Sequence, residues 1–390
     1  MTAGKRMTSG PLSGITVIEL AGIGPGPFCG MLLADLGAEV VCVERPVENS
    51  SAIRPDAVNF RGRRSIGIDL KRREGAEVVL QMCRTADVLI EGNRPGVAER
   101  LGVGPEQCRA GNSRLIYGRI TGWGQDGPLA STAGHDINYI ALSGALHGIG
   151  RKNDLPVPPL NLVGDGSGGL LLALGVVSAL VERSNSGQGQ VVDASMVDGS
   201  ALLASVFFGL QAQGFCGLYP GDNYLGGAAP FYDVYQTRTE AGQEAQYISI
   251  GALEPKFYER LINLTGLQKR DFYPQETVEE WPARKARLRE LFLSKTRDEW
   301  CRLFDNEDVC FAPVLSMREA PCHAHNRARE SYIEVGGIVQ PAPAPRFSRS
   351  QSAIPVAARV PGQDTDEILG ERGFSRKRID QLKESGVIFG

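Results

Sequence analysis

The sequence predicts an α/β fold built on a parallel sheet, followed by a smaller domain of α+β texture. Residues 15–43 read as strand, glycine-rich turn, helix and strand, a βαβ unit of about 30 residues, and such a unit places its two strands parallel. The chain has 390 residues, long enough for two or three domains that each bury a core. Beyond residue 230 the pattern changes to a strand pair followed by helices, without βαβ spacing.

Each element has a local reason. Residues 15–20 (Ile-Thr-Val-Ile-Glu-Leu) are rich in β-branched side chains and form the first strand. Gly22, Gly24, Pro25, Gly26 and Pro27 make the turn, residues 28–36 the helix and residues 39–43 the second strand. A helix near 75–84 and an apolar strand at 87–90 repeat the alternation, and residues 115–119 add a strand. A turn and strand at 187–193 lead into a helix carrying Met196 and the apolar run 201–210. The apolar stretch 170–181 is about 12 residues, too short for a bilayer, and reads as a buried helix. Residues 215–230 are rich in glycine and weakly patterned, as an interdomain connection would be. Residues 232–235 and 246–250 pair as a hairpin, and helices continue through Trp300 and Phe304. Pro341, Pro343 and Pro345 make 339–350 an extended linker. Residues 364–385 have helical periodicity, with acids early and bases late as the helix dipole favours. No internal repeat is present.

Composition narrows the function classes. The 42 basic and 45 acidic residues leave a net charge of −3, which gives no general reason to bind nucleic acid or an anionic membrane. Glycine is in excess: 48 of 390 is about 12%, against a usual ~7%. Histidine is scarce, with four in all. The eight cysteines, at positions 29, 42, 83, 108, 216, 301, 310 and 322, form no CxxC pair and fit a reduced, cytosolic protein. The first ten residues carry two positive charges but no apolar run, so no secretory signal is expected. The last four, Val-Ile-Phe-Gly, are no peroxisomal Ser-Lys-Leu address. The expected location is cytoplasmic, with peroxisome and mitochondrion left open.

The first glycine loop follows a strand, and Glu44 stands about 20 residues on, as in a dinucleotide-binding fingerprint. Pro25 and Pro27 lack the N–H donors that a phosphate cradle uses, and proline takes the place of the third glycine, so NAD is not the expected cofactor. A tight turn without a ligand and a bed for an extended, less charged chain both remain. Residues 61–73 hold six bases and one acid. A solvated face and a grip on several phosphates are both consistent with that run.

His135 lies in Ala-Gly-His-Asp-Ile-Asn-Tyr at a turn into a helix; a lone histidine is more often structural, while the preceding glycine would let a substrate approach. His147 follows at the far end of that helix, and His323 and His325 read as a surface turn without the second ligand cluster a metal needs. Asp165 precedes the apolar helix and is surrounded by Gly164, Gly166, Gly168 and Gly169. An N-cap explains the aspartate, while four glycines point to something packed on the backbone, and the amides opening the helix could hold an oxyanion. Glu254 precedes Pro255 at a helix start, where capping is the simpler role. There is no GxSxG, HExxH or Walker sequence.

Taken together, Glu19-Leu-Ala-Gly-Ile-Gly-Pro-Gly-Pro27, Gly134-His-Asp-Ile-Asn-Tyr139, Pro159-Leu-Asn-Leu-Val-Gly-Asp165 and Gly251-Ala-Leu-Glu-Pro255 resemble the α-methylacyl-CoA racemase branch of the class III (CaiB/BaiF-type) CoA-transferase family. The resemblance runs from residue 10 to residue 374. It implies a Rossmann-like large domain built from both chain ends, a smaller α+β domain and an interlocked homodimer. The boundaries then fall at 10–210 for the first part of the large domain, 211–229 for a linker, 230–335 for the small domain and 336–390 for a linker and the return. It also implies His135 and Asp165 as the catalytic pair and Glu254 as the histidine's hydrogen-bonding partner. Ile23, Arg45, Ile68, Asp69, Leu70, Lys71, Gly92, Asn93, Arg94, Arg100, Gly134, Asp136, Ile137, Asn138 and Tyr139 fall on coenzyme A contacts. No cofactor beyond that coenzyme A moiety, no metal, no nucleic acid and no membrane is implied.

Transferase members use the aspartate as a nucleophile and generally lack the histidine. A racemase needs two acid/base groups on opposite faces of one carbon, and His135 with Asp165 supplies them. The implied reaction is 1,1-proton transfer at the α-carbon of a 2-methylacyl-CoA through an enolate, with CoA transfer through an Asp165 anhydride as the alternative. One stretch departs from the branch: Asn223-Tyr-Leu-Gly-Gly-Ala-Ala-Pro230 has Tyr224 in place of a methionine and Gly226 in place of an acid, which implies a stiffer acyl pocket.

Overall fold

The computed structural model describes residues 9–46, 56–215, 217 and 219–390. Cys216 and the first eight residues, read above for thiol usage and targeting, lie outside them. The chain divides into two compact units, Met1–Ser143 with Leu160–Leu203 and Glu330–Gly390, and Gly144–Pro159 with Ala204–Arg329.

The first unit is built on β1 (Thr16–Leu20), β2 (Glu39–Glu44), β3 (Arg64–Ile68), β4 (Val88–Glu91), β5 (Ile116–Thr121) and β6 (Val191–Ser195). After a separate hairpin of β10 (Tyr332–Val335) and β11 (Ile338–Pro341), the chain end returns as β12 (Ile388–Phe389). Among the described residues the sheet order is β12-β3-β2-β1-β4-β5-β6, parallel except for β12, which pairs Ile388 with Ile68 antiparallel. The large domain therefore does take strands from both chain ends. Alternation along β1 sends Ile18 and Leu20 into one core and Val17 into the other, as a sheet covered on both faces requires.

The helices that matter here are α1 (Pro25–Asp35), α2 (Arg73–Cys83), α3 (Asp136–Leu142), α4 (Gly164–Ser186) and α5 (Met196–Leu203). α1 begins at Pro25, three residues before the expected start. Prolines suit a first turn, where a missing N–H breaks no intrahelical bond. α4 is longer than the apolar stretch that announced it and is not a buried helix: Leu172 and Val176 are in the core, while Leu170, Leu174 and Val181 are exposed. The tail forms two helices, Thr365–Glu371 and Arg376–Glu384, separated by Gly373 at φ +84°. The first residues of the supposed proline linker belong to β11.

β3 lies inside the run of bases, and this settles part of its role. Arg61 pairs with Asp35 at 2.5 Å, Arg63 with Glu19 at 2.5 Å, and Arg64 with Glu39 at 3.0 Å and Glu371 at 2.5 Å. All three arginines are buried. They are committed inside the fold, so neither a solvated face nor a phosphate grip describes them. Lys71, Arg72 and Arg73 remain on the surface.

The second unit holds an antiparallel sheet of β7 (Tyr232–Gln236), β8 (Tyr247–Gly251) and β9 (Phe311–Val314), the first two being the expected hairpin. Its core joins Tyr235, Ile248, Tyr258, Phe292 and Trp300. It begins at Ala204 and also takes in residues 144–159, with His147 in a short 3₁₀ turn, Leu146–Gly148, and not at the end of α3. Tyr224 packs against this core. Lys285 donates to the Gly227 carbonyl and pairs with Asp233, which Arg151 also holds, so the 223–229 stretch is tied down within its own unit.

Candidate active site

The order β3-β2-β1-β4-β5-β6 reverses direction between β1 and β4, and ligands of such sheets dock outside the carboxyl ends of the strands near that point. Ile23, exposed, and Gly24 follow β1; Arg45 follows β2; Asp69 and Lys71 follow β3; Gly92, Asn93 and Arg94 follow β4. Glu91 Oε2 accepts the Asn93 N–H at 2.6 Å and shapes that last turn. Arg100 ends the short helix Val97–Arg100 and is exposed. Ile68 points into the core, and Leu70 packs against the same core.

α3 and α4 carry the reacting pair. His135 is the extended N-cap residue of α3, with its imidazole exposed, and its N–H donates to Asn138 Oδ1 at 3.0 Å. Asp165 is the second residue of α4 and is half-buried. Its Oδ2 accepts from Asn161 Nδ2 at 3.2 Å, and its N–H donates to Asp136 Oδ2 at 2.7 Å. Burial pushes the Asp165 carboxyl above its usual range; the Asn161 bond opposes this, the Asp136 charge adds to it and His135 opposes it. Burial also raises Tyr139, the Asp165 charge raises it further and Arg94 opposes. These couplings place His135, Asp136, Tyr139 and Asp165 in one neighbourhood, with Arg94 beside it. Ile137, on the same helix, is exposed.

The glycines do something other than what the sequence suggested. A Cβ on Gly134 would stand 2.7 Å from the Tyr139 ring and 3.0 Å from Trp123, and one on Gly122 only 2.0 Å from Tyr139. Those two glycines make room for Tyr139, whose ring meets Trp123 edge-on at 4.7 Å, not for a substrate. Around Asp165, Gly164 abuts the Asp136 carboxylate, Gly168 abuts Met196 and Ile120, and Gly169 abuts Phe28 and the Pro25 carbonyl. Gly166 alone of the four faces open space. The Asp165 amide is likewise committed to Asp136 and is not the oxyanion donor expected at this helix start.

Gly24, at φ +68°, comes from the first glycine loop to within contact of the Asp165 carboxylate. The sequence marks that loop as a turn or a ligand bed and gives no sign of this approach to Asp165, and Asn161 enters there only as part of the motif Pro159–Asp165. Asn161 had a readable signal, an amide four residues before the aspartate. Glu254 belongs to the second unit, where it is the exposed N-cap residue of the helix Pro255–Leu264 and its carbonyl accepts the Tyr258 N–H at 3.1 Å. Its charge raises the Cys310 thiol, behind the larger effect of burial. Among the described residues, no three His, Cys, Asp or Glu side chains gather as a metal site would require.

A family model described as CoA-transferase family III matches residues 12–365. The chain is 46% identical over 383 residues to a Mus musculus protein named alpha-methylacyl-CoA racemase, covering 97% of each chain. It is 44% identical over 381 residues to the Homo sapiens protein of that name, again covering 97% of each. A solved CAIB/BAIF family protein from Brucella suis matches the fold with a TM-score of 0.79 at 27% identity, covering 93% of this chain and 100% of that one.

Proposed function

The chain belongs to CoA-transferase family III, and from that premise we propose that it is an α-methylacyl-CoA racemase, interconverting the (2R) and (2S) epimers of 2-methylacyl-CoA thioesters. The observation that carries the reading is the meeting of two different acid/base groups at neighbouring helix starts: an exposed imidazole on His135 and a carboxyl on Asp165 whose ionisation is held back by burial and by Asp136. One group removes the α-proton, the electron pair moves into the thioester to give a planar enolate, and the other group returns a proton to the opposite face. A carboxyl with a raised pKa suits this work, because it has to accept a proton in one direction and donate one in the other. The thioester is the acidifying group, so the reaction calls for no cofactor beyond the coenzyme A moiety of the substrate.

The residues at the carboxyl ends of β1 to β4 are the proposed coenzyme A contacts, with exposed Arg45, Arg94 and Arg100 available to phosphates. The proposed partner is a second copy of the chain. Support comes from the amount of apolar surface left uncovered: the helix Ser205–Ala212 has no buried residue and exposes Val206, Phe207 and Phe208. Surfaces of this kind mark association sites. In the dimer, Glu254 is proposed to bond the histidine.

The test is α-proton exchange in heavy water with a panel of 2-methylacyl-CoA esters, followed by mass and by epimer ratio. Wild-type protein is expected to incorporate deuterium and racemise, and His135→Ala and Asp165→Ala each to lose about 10²–10⁴-fold. Full exchange in both variants refutes the assignment. Acyl movement to a free acid, with a hydroxylamine-trappable adduct on Asp165, would identify a transferase instead.

A further inference from the structure

Asp136 is 2% exposed, and a coenzyme A contact alone does not account for a carboxylate so deeply placed. Its Oδ2 accepts the Asp165 N–H at 2.7 Å. The approach is close enough that a Cβ on Gly164 would fall 2.4 Å from Oδ2, so glycine at 164 is what admits the carboxylate to the start of α4. A carboxylate bonded to an amide in the first turn of a 23-residue helix is favoured by the helix dipole and by the charge-assisted bond. Asp136 also directly follows His135. The peptide that carries the histidine thus carries the clamp on the aspartate.

We infer that Asp136 is a positioning residue for proton transfer, tying the first turn of α4 to the start of α3 and so setting His135 and Asp165 against each other. The inference rests on the racemase reading above and deepens it. The bond fixes where the Asp165 carboxyl stands, and the charge of Asp136 helps hold its proton. The groups facing Asp165 are His135, Asp136 and Tyr139 from α3 and Asn161 from the segment before α4; the loop before α1 contributes Gly24, which carries no charge.

The experiment compares wild type, Asp136→Asn and Asp136→Ala for α-proton exchange of both epimers across a pH series, with melting curves for each protein. The asparagine amide oxygen still accepts the Asp165 N–H. Asp136→Asn is therefore expected to keep kcat within about threefold, with the acidic limb displaced to lower pH in the direction where Asp165 takes the proton. Asp136→Ala is expected to lose roughly 10²-fold in kcat with KM nearly unchanged, the scale for misplacing a reacting group by about 1 Å. A raised KM with kcat intact in the alanine variant overturns the inference in favour of a coenzyme A contact. Equal losses in both variants with native melting curves, or an asparagine variant whose acidic limb stays in place, overturn it as well. No exchange by wild type would overturn the racemase reading itself and this inference with it.

Discussion

Gly24→Ala tests whether the first glycine loop serves the chemistry or merely turns the chain. Gly24 sits at φ +68°, ψ −119°, and a Cβ built there lies 3.0 Å from Asp165 Oδ2 and 3.2 Å from its Cγ and Oδ1. Ordinary carbon contacts are about 3.5 Å or longer, so the carboxylate has to retreat by roughly 0.3–0.5 Å. If a displacement of about 1 Å costs ~10²-fold, the same logarithmic scale gives a loss in kcat of about 4- to 10-fold. The positive φ with ψ −119°, a region side chains avoid, adds about 1–3 kcal/mol of instability, a fall in Tm of about 2–12 °C for a unit of this size. The assay is deuterium incorporation at saturating 2-methylacyl-CoA, paired with calorimetry. Gly22→Ala is the control, because nothing lies within 4 Å of its Cβ, and it is expected to leave kcat within about twofold. Wild-type kcat in Gly24→Ala, or an equal loss in both variants, would refute the reasoning.

Two further outcomes follow from the charges. Arg63→Met leaves Glu19 buried without its guanidinium, and about 3–5 kcal/mol of stability should be lost; adding Glu19→Gln in the same chain should recover part of the loss by calorimetry, and no recovery would mean that the Arg63 bonds to the Asn59 and Pro27 carbonyls dominate. Asp165 has a folded pKa above its unfolded one, so between those two values the folded state binds more protons and stability falls as pH rises. Asp165→Asn should therefore melt above wild type at neutral pH while losing exchange, and the difference should vanish once pH falls below the unfolded value of about 3.9. A variant that melts below wild type at neutral pH would contradict this.

The local elements were legible because their causes are local. β1 and β2 announce themselves through β-branched runs on either side of a glycine turn, and the β7–β8 hairpin through its short apolar pair. β3 was hidden because three of its determinants are arginines whose partners stand far away in sequence, Asp35 and Glu19 before it and Glu371 at the other end of the chain. Charge runs look like surface until the partners are placed. The site divides in the same way. His135 and Asp165 stood out by residue type and neighbours, whereas the bond between Asp136 and the Asp165 amide joins positions 29 apart, and only the packing of α3 against α4 brings them together. The glycines misled for a related reason: a missing side chain records a close approach but not what approaches, and at Gly122, Gly134 and Gly164 the visitor is another part of the same chain.

The sheet has the strand order of a dinucleotide-binding fold, yet its first loop is built differently. In a nucleotide site the loop after β1 presents backbone N–H groups to a pyrophosphate. Here Pro25 and Pro27 open α1 and offer none, and the loop's remaining freedom is used at Gly24 to bring the backbone against the Asp165 carboxylate. Burial is the largest cause of the raised pKa of that carboxyl, and the space beside it at Gly24 is too tight for a side chain. A loop with its amides free would present N–H donors to an anion at that place, whereas this one offers prolines to the helix start and a tight glycine to the carboxyl.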